Sequence, residues 1–124
     1  MELPPYQLQE QTRDQVVLRL TLDEQLPCFR GHFDGLPVLA GVTQIGWALA
    51  LAQRYFGRSL HFRAMRSTKF QQLVRPPCSL SLTLQLSSDG ERLRFRYTGV
   101  RGTCSSGNVL VKNVLVKTVS ESHD

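Results

Sequence analysis

The chain has 124 residues, with 15 lysines and arginines against 10 aspartates and glutamates, so its formal net charge is +5. This length has room for one domain, and 41% hydrophobic residues exclude an intrinsically disordered chain. No apolar run reaches the roughly 18 residues that span a bilayer, and residues 1–5 lack the pattern of a signal peptide. We therefore expect one cytoplasmic domain over residues 1–124, with residues 1–12 and 120–124 peripheral and no insertion into a membrane.

The cysteines and histidines are scattered along the chain. Cys28, Cys78 and Cys104 are odd in number, with spacings of 50 and 26 residues that fit neither a disulfide framework nor a zinc site. No glycine-rich phosphate loop is present either. We expect free thiols, no metal and no cofactor.

The charge is unevenly distributed. No acidic residue lies between Asp34 and Asp89. Such an interval favours an anionic partner, although a solvated face without a partner explains it equally well. The interval contains six cations: Arg54, Arg58, Arg63, Arg66, Lys69 and Arg75.

In chain order, residues 16–22 alternate between apolar and polar positions and predict a half-buried strand. Residues 23–39 contain two prolines and two glycines, which predicts a long loop without regular structure. A helix is predicted from about Gly41 to Phe56, ended by Gly57. Its circumference is almost entirely apolar, so we expect protein to cover it on most sides.

The second half of the chain reads as strands. Alternation predicts strands over residues 61–70, 80–86, 92–97 and 109–119, with turns at residues 88–90 and 102–107. An antiparallel sheet can bury one face and expose the other. We therefore expect an α+β fold with about five or six strands curled around one long helix. The apolar helix and the two-sided apolar segment 109–111 exceed what one small protomer covers, which favours dimerisation.

The loop before the helix is the strongest candidate site. His32 lies between a glycine and a phenylalanine, where a loop can hold an imidazole for proton transfer. The helix start near Gly41 offers free N–H groups and the positive end of the helix dipole, which polarise a carbonyl. The alternative is a loop histidine that only hydrogen-bonds the backbone.

Residues 31–42 read GHFDGLPVLAGV, and residues 69–76 read KFQQLVRP. The first segment resembles GHFPGxPVMPGV, the signature of the β-hydroxyacyl-acyl carrier protein dehydratases with the hotdog fold. The second is similar to the KFxxxVxPGD segment of the same family. Residues 44–48, QIGWA, resemble the dehydratase-like branch associated with aryl-polyene and related polyketide pathways. The resemblance covers about residues 14–119 and implies a hotdog fold.

In such enzymes a histidine removes the proton α to a thioester, and the backbone N–H of a glycine at the helix start binds the thioester oxygen. A carboxylic acid on the central helix helps the β-hydroxyl leave as water, and the two groups act across a dimer interface. The resemblance implies that His32 is the base and that the Gly41 backbone is the donor. The partner would be an acyl carrier protein or a coenzyme A thioester, with the six cations docking the acidic carrier. Implied substrate contacts are Phe33, Val38, Thr43 and Trp47, although Trp47 lines either the core or an acyl tunnel.

One position departs from the family. The helix acid is expected fourteen residues after the histidine, where this chain has Gly46. Two further residues become candidates for a role in the site. Asp34 either orients His32 or is a solvated aspartate in a turn. Gln44 supplies at most a hydrogen bond to the substrate hydroxyl, which is weaker than general acid catalysis.

Three functional hypotheses follow. The chain is a dehydratase with rearranged acid chemistry, a non-catalytic or half-catalytic subunit of a heteromeric dehydratase, or a hotdog thioesterase that uses Asp34. Nucleic-acid binding is disfavoured, because the arginines at 92, 94 and 96 face away from the aromatic rings of Phe95 and Tyr97. We thus expect no nucleic-acid partner, and either a homodimer or a heterodimer with a paralogue.

Overall fold

The computed structural model of the chain describes residues 2–30 and 37–114. One helix, α1 (Gly41–Phe56), packs against a six-stranded antiparallel sheet with the order β1-β2-β4-β5-β6-β3. A short 3₁₀ turn at Pro27–Phe29 interrupts the segment that was predicted to lack regular structure. The predicted architecture of one helix and about five or six strands is confirmed. The strands are β1 (Tyr6–Gln11), β2 (Gln15–Leu22), β3 (Ser59–Phe70), β4 (Cys78–Leu86), β5 (Arg92–Gly99) and β6 (Gly102–Val114).

Alternation along the strands produces the core. The even-numbered leucines of β4 are buried and the residues between them are not, as expected for a sheet with one buried face. On β5, Leu93, Phe95 and Tyr97 are buried against α1, while the intervening arginines are exposed. We call the side of the sheet that packs on α1 the inner face and the opposite side the outer face.

Helix α1 begins and ends where the sequence predicts. Gly57 adopts a left-handed conformation with φ of 65° and ends the helix, and its amide donates to the Gln53 carbonyl. We expected protein to cover α1 on most sides, but the described residues of this chain cover it on one side only. Val42 at the first turn is 77% exposed, and Ile45 and Leu49 on the same stripe are half-buried.

Two predictions about strands require correction. Strand β1 was not predicted, because its residues are mostly polar and it is an exposed edge of the sheet. The turn predicted over residues 102–107 is instead the first half of β6, and the reversal occurs just before Gly102. A Cβ at Gly107 would lie 2.8 Å from Thr68 Oγ1 and 3.1 Å from Cε2 of Phe95. This glycine therefore reflects close packing against β3 and β5, which sequence alone does not distinguish from a turn.

The residues at the start of the chain pack on the core. The Trp47 indole N–H donates to the Glu2 carbonyl at 3.1 Å, and Pro4 is buried. The Thr21 amide donates to the Pro5 carbonyl at 3.0 Å, which joins this segment to β2. Within residues 2–30 and 37–114, no helix is long and apolar enough to cross a membrane.

Candidate functional site

Three predicted site residues, His32, Phe33 and Asp34, lie outside the described residues, and their roles remain predictions. The described part of the site is the part around the start of α1, which we call its helix side. It consists of residues 37–44 and of the segment 70–76, which runs beside them. The Leu39 amide donates to the Val74 carbonyl at 2.8 Å and joins these two segments.

The start of α1 presents unused backbone donors. Ala40 is the N-cap residue, no side chain caps the helix, and the first turn contains no acidic residue. Among the described residues, the amides of Gly41 and Val42 donate to no acceptor. Unpaired N–H groups and the positive end of the helix dipole make this turn suitable for binding a developing negative charge.

The Phe70 ring lies close to the backbone of Gly41. A Cβ at Gly41 would lie 2.8 Å from Cζ and 2.9 Å from Cε1 of Phe70, closer than such contacts normally allow. The Phe70 ring therefore packs against the backbone at the helix start. This contact connects the two sequence motifs, because Gly41 belongs to the first and Phe70 to the second.

Gln44 is held in a buried hydrogen-bond network. Its Nε2 donates to the Leu39 carbonyl at 3.1 Å, and its Oε1 accepts from Ser105 Oγ at 2.6 Å. Its backbone carbonyl accepts from the Tyr97 hydroxyl, also at 2.6 Å. Ser105 is 1% exposed and Gln44 is 3% exposed. The network therefore anchors the uncapped first turn of α1 to β5 and β6.

Gln44 and Trp47, which were predicted to contact substrate, are both buried, and their side-chain amide and indole N–H donate to protein carbonyls. Their contact with a substrate stays a prediction. Val38 and Thr43 are half-buried at the helix start and remain candidates for substrate contact.

Position 46, where the family places its acid, is a half-buried glycine in the middle of α1. No residue of α1 is aspartate or glutamate. The described helix side of the site therefore supplies hydrogen-bond donors but no proton donor.

The six cations of the acid-free interval are all exposed, but they lie on different parts of the molecule. Arg54 lies near the far end of α1, about 20 Å from Gly41 at 1.5 Å per residue, and its guanidinium lies over the Tyr6 ring. Arg58 follows the helix, and Arg63, Arg66 and Lys69 lie on β3. Arg75 lies within the segment 70–76 of the candidate site.

Arg75 lines a groove that the sequence did not reveal. The groove has a volume of about 1210 Å³ and lies beside the segment 72–75. Arg19 from β2 and Arg101 from the β5–β6 turn line it together with Arg75, and none of the described lining residues is acidic. Leu73 and Val100 contribute largely exposed apolar side chains. The three arginines lie far apart in sequence, and their expected exposure to solvent was the only feature of the sequence that pointed to them.

All three cysteines are free, as predicted. Burial raises the pKa of the Cys28 and Cys78 thiols, which lowers the fraction of reactive thiolate at neutral pH. Among residues 2–30 and 37–114, no group of histidine, cysteine or acidic side chains is arranged to hold a metal.

The sheet around α1 and the helix start with unused amides define a hotdog-fold protein of the dehydratase-like class. Residues 8–108 match the family model for ApeI-like proteins, described as ApeI dehydratase. The chain belongs to this family, which confirms the resemblance drawn from residues 31–42, 44–48 and 69–76.

Individual relatives support this assignment. A chain of the dehydratase heterocomplex ApeI:P from Xenorhabdus doucetiae is 30% identical with a TM-score of 0.81, and the alignment covers 90% of this chain and 98% of that one. An uncharacterised protein from Erwinia carotovora subsp. atroseptica is also 30% identical with a TM-score of 0.76, and the alignment covers 92% and 98% of the two chains. The 3-hydroxyacyl-acyl-carrier-protein dehydratase FabZ of Ligilactobacillus salivarius is 38% identical over 74 residues, 54% of this chain and 51% of that enzyme. The chain thus spans about half the length of the curated relatives it matches.

Proposed function

We propose that the chain is an acyl-thioester-binding subunit of a heteromeric β-hydroxyacyl-thioester dehydratase. The observation that carries this proposal is Gly46 at the position of the helix acid, in a helix without any carboxylate. The relative in the ApeI:P heterocomplex supports it, because that protein is part of a dehydratase heterocomplex. A partner chain would then supply the acid that this chain lacks.

The proposed reaction divides its steps between two chains. His32 takes the proton from the carbon α to the thioester, and the amides of Gly41 and Val42 donate hydrogen bonds to the thioester oxygen as negative charge develops there. The β-carbon–oxygen bond breaks, and a carboxylic acid of the partner gives its proton to the departing hydroxyl, which leaves as water. The electrons of the broken C–H bond form the double bond of the enoyl product.

The partner would bind at the exposed edge strand β3. Strand β3 is at one end of the sheet order, and its unpaired edge can extend the sheet into a second chain. Phe62 and Met65 on this strand are 52% and 39% exposed, and Val42 at the helix start is 77% exposed. A second hotdog chain paired here would cover this surface and could supply an acid from its own helix.

The thioester substrate would be delivered by an acidic carrier protein or as a coenzyme A thioester. The groove beside residues 72–75 offers Arg19, Arg75 and Arg101 for phosphate or carboxylate groups. The groove lies next to the segment that hydrogen-bonds Leu39, two residues before Gly41. We propose that the carrier docks here, with Arg75 as the predicted docking residue nearest the site.

The experiment is reconstitution. This chain, a hotdog paralogue that carries an acid on its central helix, and their mixture are each incubated with a β-hydroxyacyl carrier protein, and the enoyl product is measured. We expect turnover only in the mixture and its loss with His32→Ala in this chain. His61→Ala is the matched control. His61 lies opposite Lys112 on the outer face, and among the described residues its ring hydrogen-bonds Ser59 alone.

Each other outcome contradicts the proposal. Full turnover by this chain alone would identify a self-sufficient dehydratase. Release of free carrier thiol without enoyl product would identify a thioesterase. A mixture that forms no complex, or that retains full activity with His32→Ala, would remove this chain from the catalytic site.

A further inference from the structure

The outer face of the sheet carries four cations around a polar floor. The strand register places Arg94 of β5, Asn108 of β6 and Arg66 of β3 in one row across the sheet. The next row holds Arg96, Ser106 and Lys69. We call these four cations and the two residues between them the outer-face cradle.

The cradle has no acidic counterpart nearby. Strands β3, β4, β5 and β6 contain no aspartate or glutamate. The four cations are exposed, and none forms an ion pair with a carboxylate in the described part of the chain. Arg92, one step further along β5, differs: together with hydrogen bonds from Ser87 and the Glu91 amide, its charge lowers the pKa of Asp89. The cradle therefore concentrates positive charge that nothing in these strands neutralises.

The dimensions of the cradle fit an α-helix. The two cations of β5 and the two cations of β3 form two lines along their strands, one on each side of β6. The lines lie about 9.6 Å apart, and within the β5 line Arg94 and Arg96 lie about 6.7 Å apart. A helix is about 10 Å wide, and its residues i and i+4 are about 6 Å apart along its axis. The floor residues Ser106 and Asn108 are small, so a helix lying along β6 would approach the sheet between the longer basic side chains.

We propose that the outer-face cradle binds an acidic α-helix of another protein. The helix would lie along β6, with carboxylates on one side contacting the cations of β5 and carboxylates on the other side contacting those of β3. Three of the four cations are arginines, which bind carboxylates bidentately and are enriched at protein interfaces, whereas lysine is depleted there. The cradle carries no aromatic ring on which nucleic-acid bases stack and no exposed apolar side chain that would enter a lipid layer. The cradle faces away from α1, so this proposal does not depend on the proposed function.

Binding of a labelled peptide to the full chain tests the proposal. The probe is a helical 20-residue peptide with glutamates at i, i+3, i+4 and i+7, and the comparison peptide has glutamines at the same positions. We expect the double variant Arg94→Gln/Arg96→Gln to bind the glutamate peptide about tenfold more weakly at low salt, with little change in its binding of the glutamine peptide. The matched control removes the same charge from Arg13 and Arg58, which lie outside the cradle, and should change binding less than twofold.

A steric variant separates a seated helix from simple charge attraction. Ser106→Tyr keeps all four cations but fills the floor between them. It should therefore weaken binding of the glutamate peptide about as much as Arg94→Gln/Arg96→Gln does. Circular dichroism confirms that each variant is folded. Equal loss in the Arg13/Arg58 control, no loss with Ser106→Tyr, or stronger binding to a DNA duplex or phosphatidylserine vesicles at equal charge would overturn the proposal.

Discussion

The buried pair formed by Ser105 and Gln44 gives the sharpest test of how α1 is held. Ser105→Ala removes the only described donor to Gln44 Oε1 and leaves that oxygen buried without a partner. An unsatisfied buried acceptor costs about 1–3 kcal/mol in the free energy of unfolding. For a chain of this length, that corresponds to a decrease in Tm of about 4–12 °C.

The neighbouring residue provides the control. Ser106→Ala changes the same group one position along β6, but Ser106 lies on the outer face and makes no described side-chain hydrogen bond. We expect its effect to remain within about 0.5 kcal/mol. Urea unfolding at one fixed protein concentration measures both variants, because oligomerisation would otherwise shift the apparent stability.

A double-mutant cycle isolates the hydrogen bond itself. Gln44→Met keeps the side-chain length but removes both the Leu39 and the Ser105 contacts. Combined with Ser105→Ala, it leaves no unpaired group at the Ser105 site, so the double variant should be more stable than the sum of the single losses predicts by about 1 kcal/mol. Additive losses within about 0.5 kcal/mol, or a Ser105→Ala effect no larger than that of Ser106→Ala, would refute the network.

Three further predictions concern buried groups. Burial raises the pKa of Tyr97, so above about pH 10 the unfolded chain ionises this phenol while the folded chain does not; stability should fall by about 1.4 kcal/mol per pH unit. In Tyr97→Phe this contribution to alkaline unfolding should disappear, and an unchanged pH profile would contradict the assignment. Removal of residues 1–5 should expose Trp47, the only tryptophan, and shift its fluorescence to the red; an unshifted spectrum would show that Glu2 and Pro4 do not cover it. Cys28 and Cys78 should react with iodoacetamide more slowly at pH 7.5 than a free thiol does, because burial raises the pKa of both, and rapid labelling would contradict their burial.

The sequence predicts those elements whose local pattern and tertiary role agree. Helix α1 is predicted to its last residue because Gly57 supplies the left-handed turn that ends it. The alternating leucines of β4 and the aromatic residues of β5 predict their buried faces because each strand lies inside the sheet with one face on α1. Strand β1 is missed because an exposed edge strand needs few apolar residues and so carries little pattern.

The site is less predictable, because its groups are brought together only by folding. The sequence around Gln44 is the same whether its side-chain amide contacts a substrate or lies in the core. The hydrogen bond from Ser105, 61 residues later, holds the amide in the core, and the local sequence does not reveal it. The pairing of Gly41 with Phe70 likewise connects two motifs that are distant in sequence. The groove arginines come from three separate elements, so no sequence window contains two of them.

The electrostatics of α1 favour one half of a dehydration reaction. The first turn has no acidic residue and no side-chain cap, so the partial positive charge of the helix start, about half an elementary charge, is not compensated within the turn. This field stabilises negative charge on a thioester oxygen. The β-hydroxyl, however, is a poor leaving group and departs readily as water only when it receives a proton. No residue of α1 supplies that proton, because Gly46 replaces the acid. In the proposed reaction the β-hydroxyl therefore needs an acid from outside this helix to depart as water, and the proposed partner would supply it.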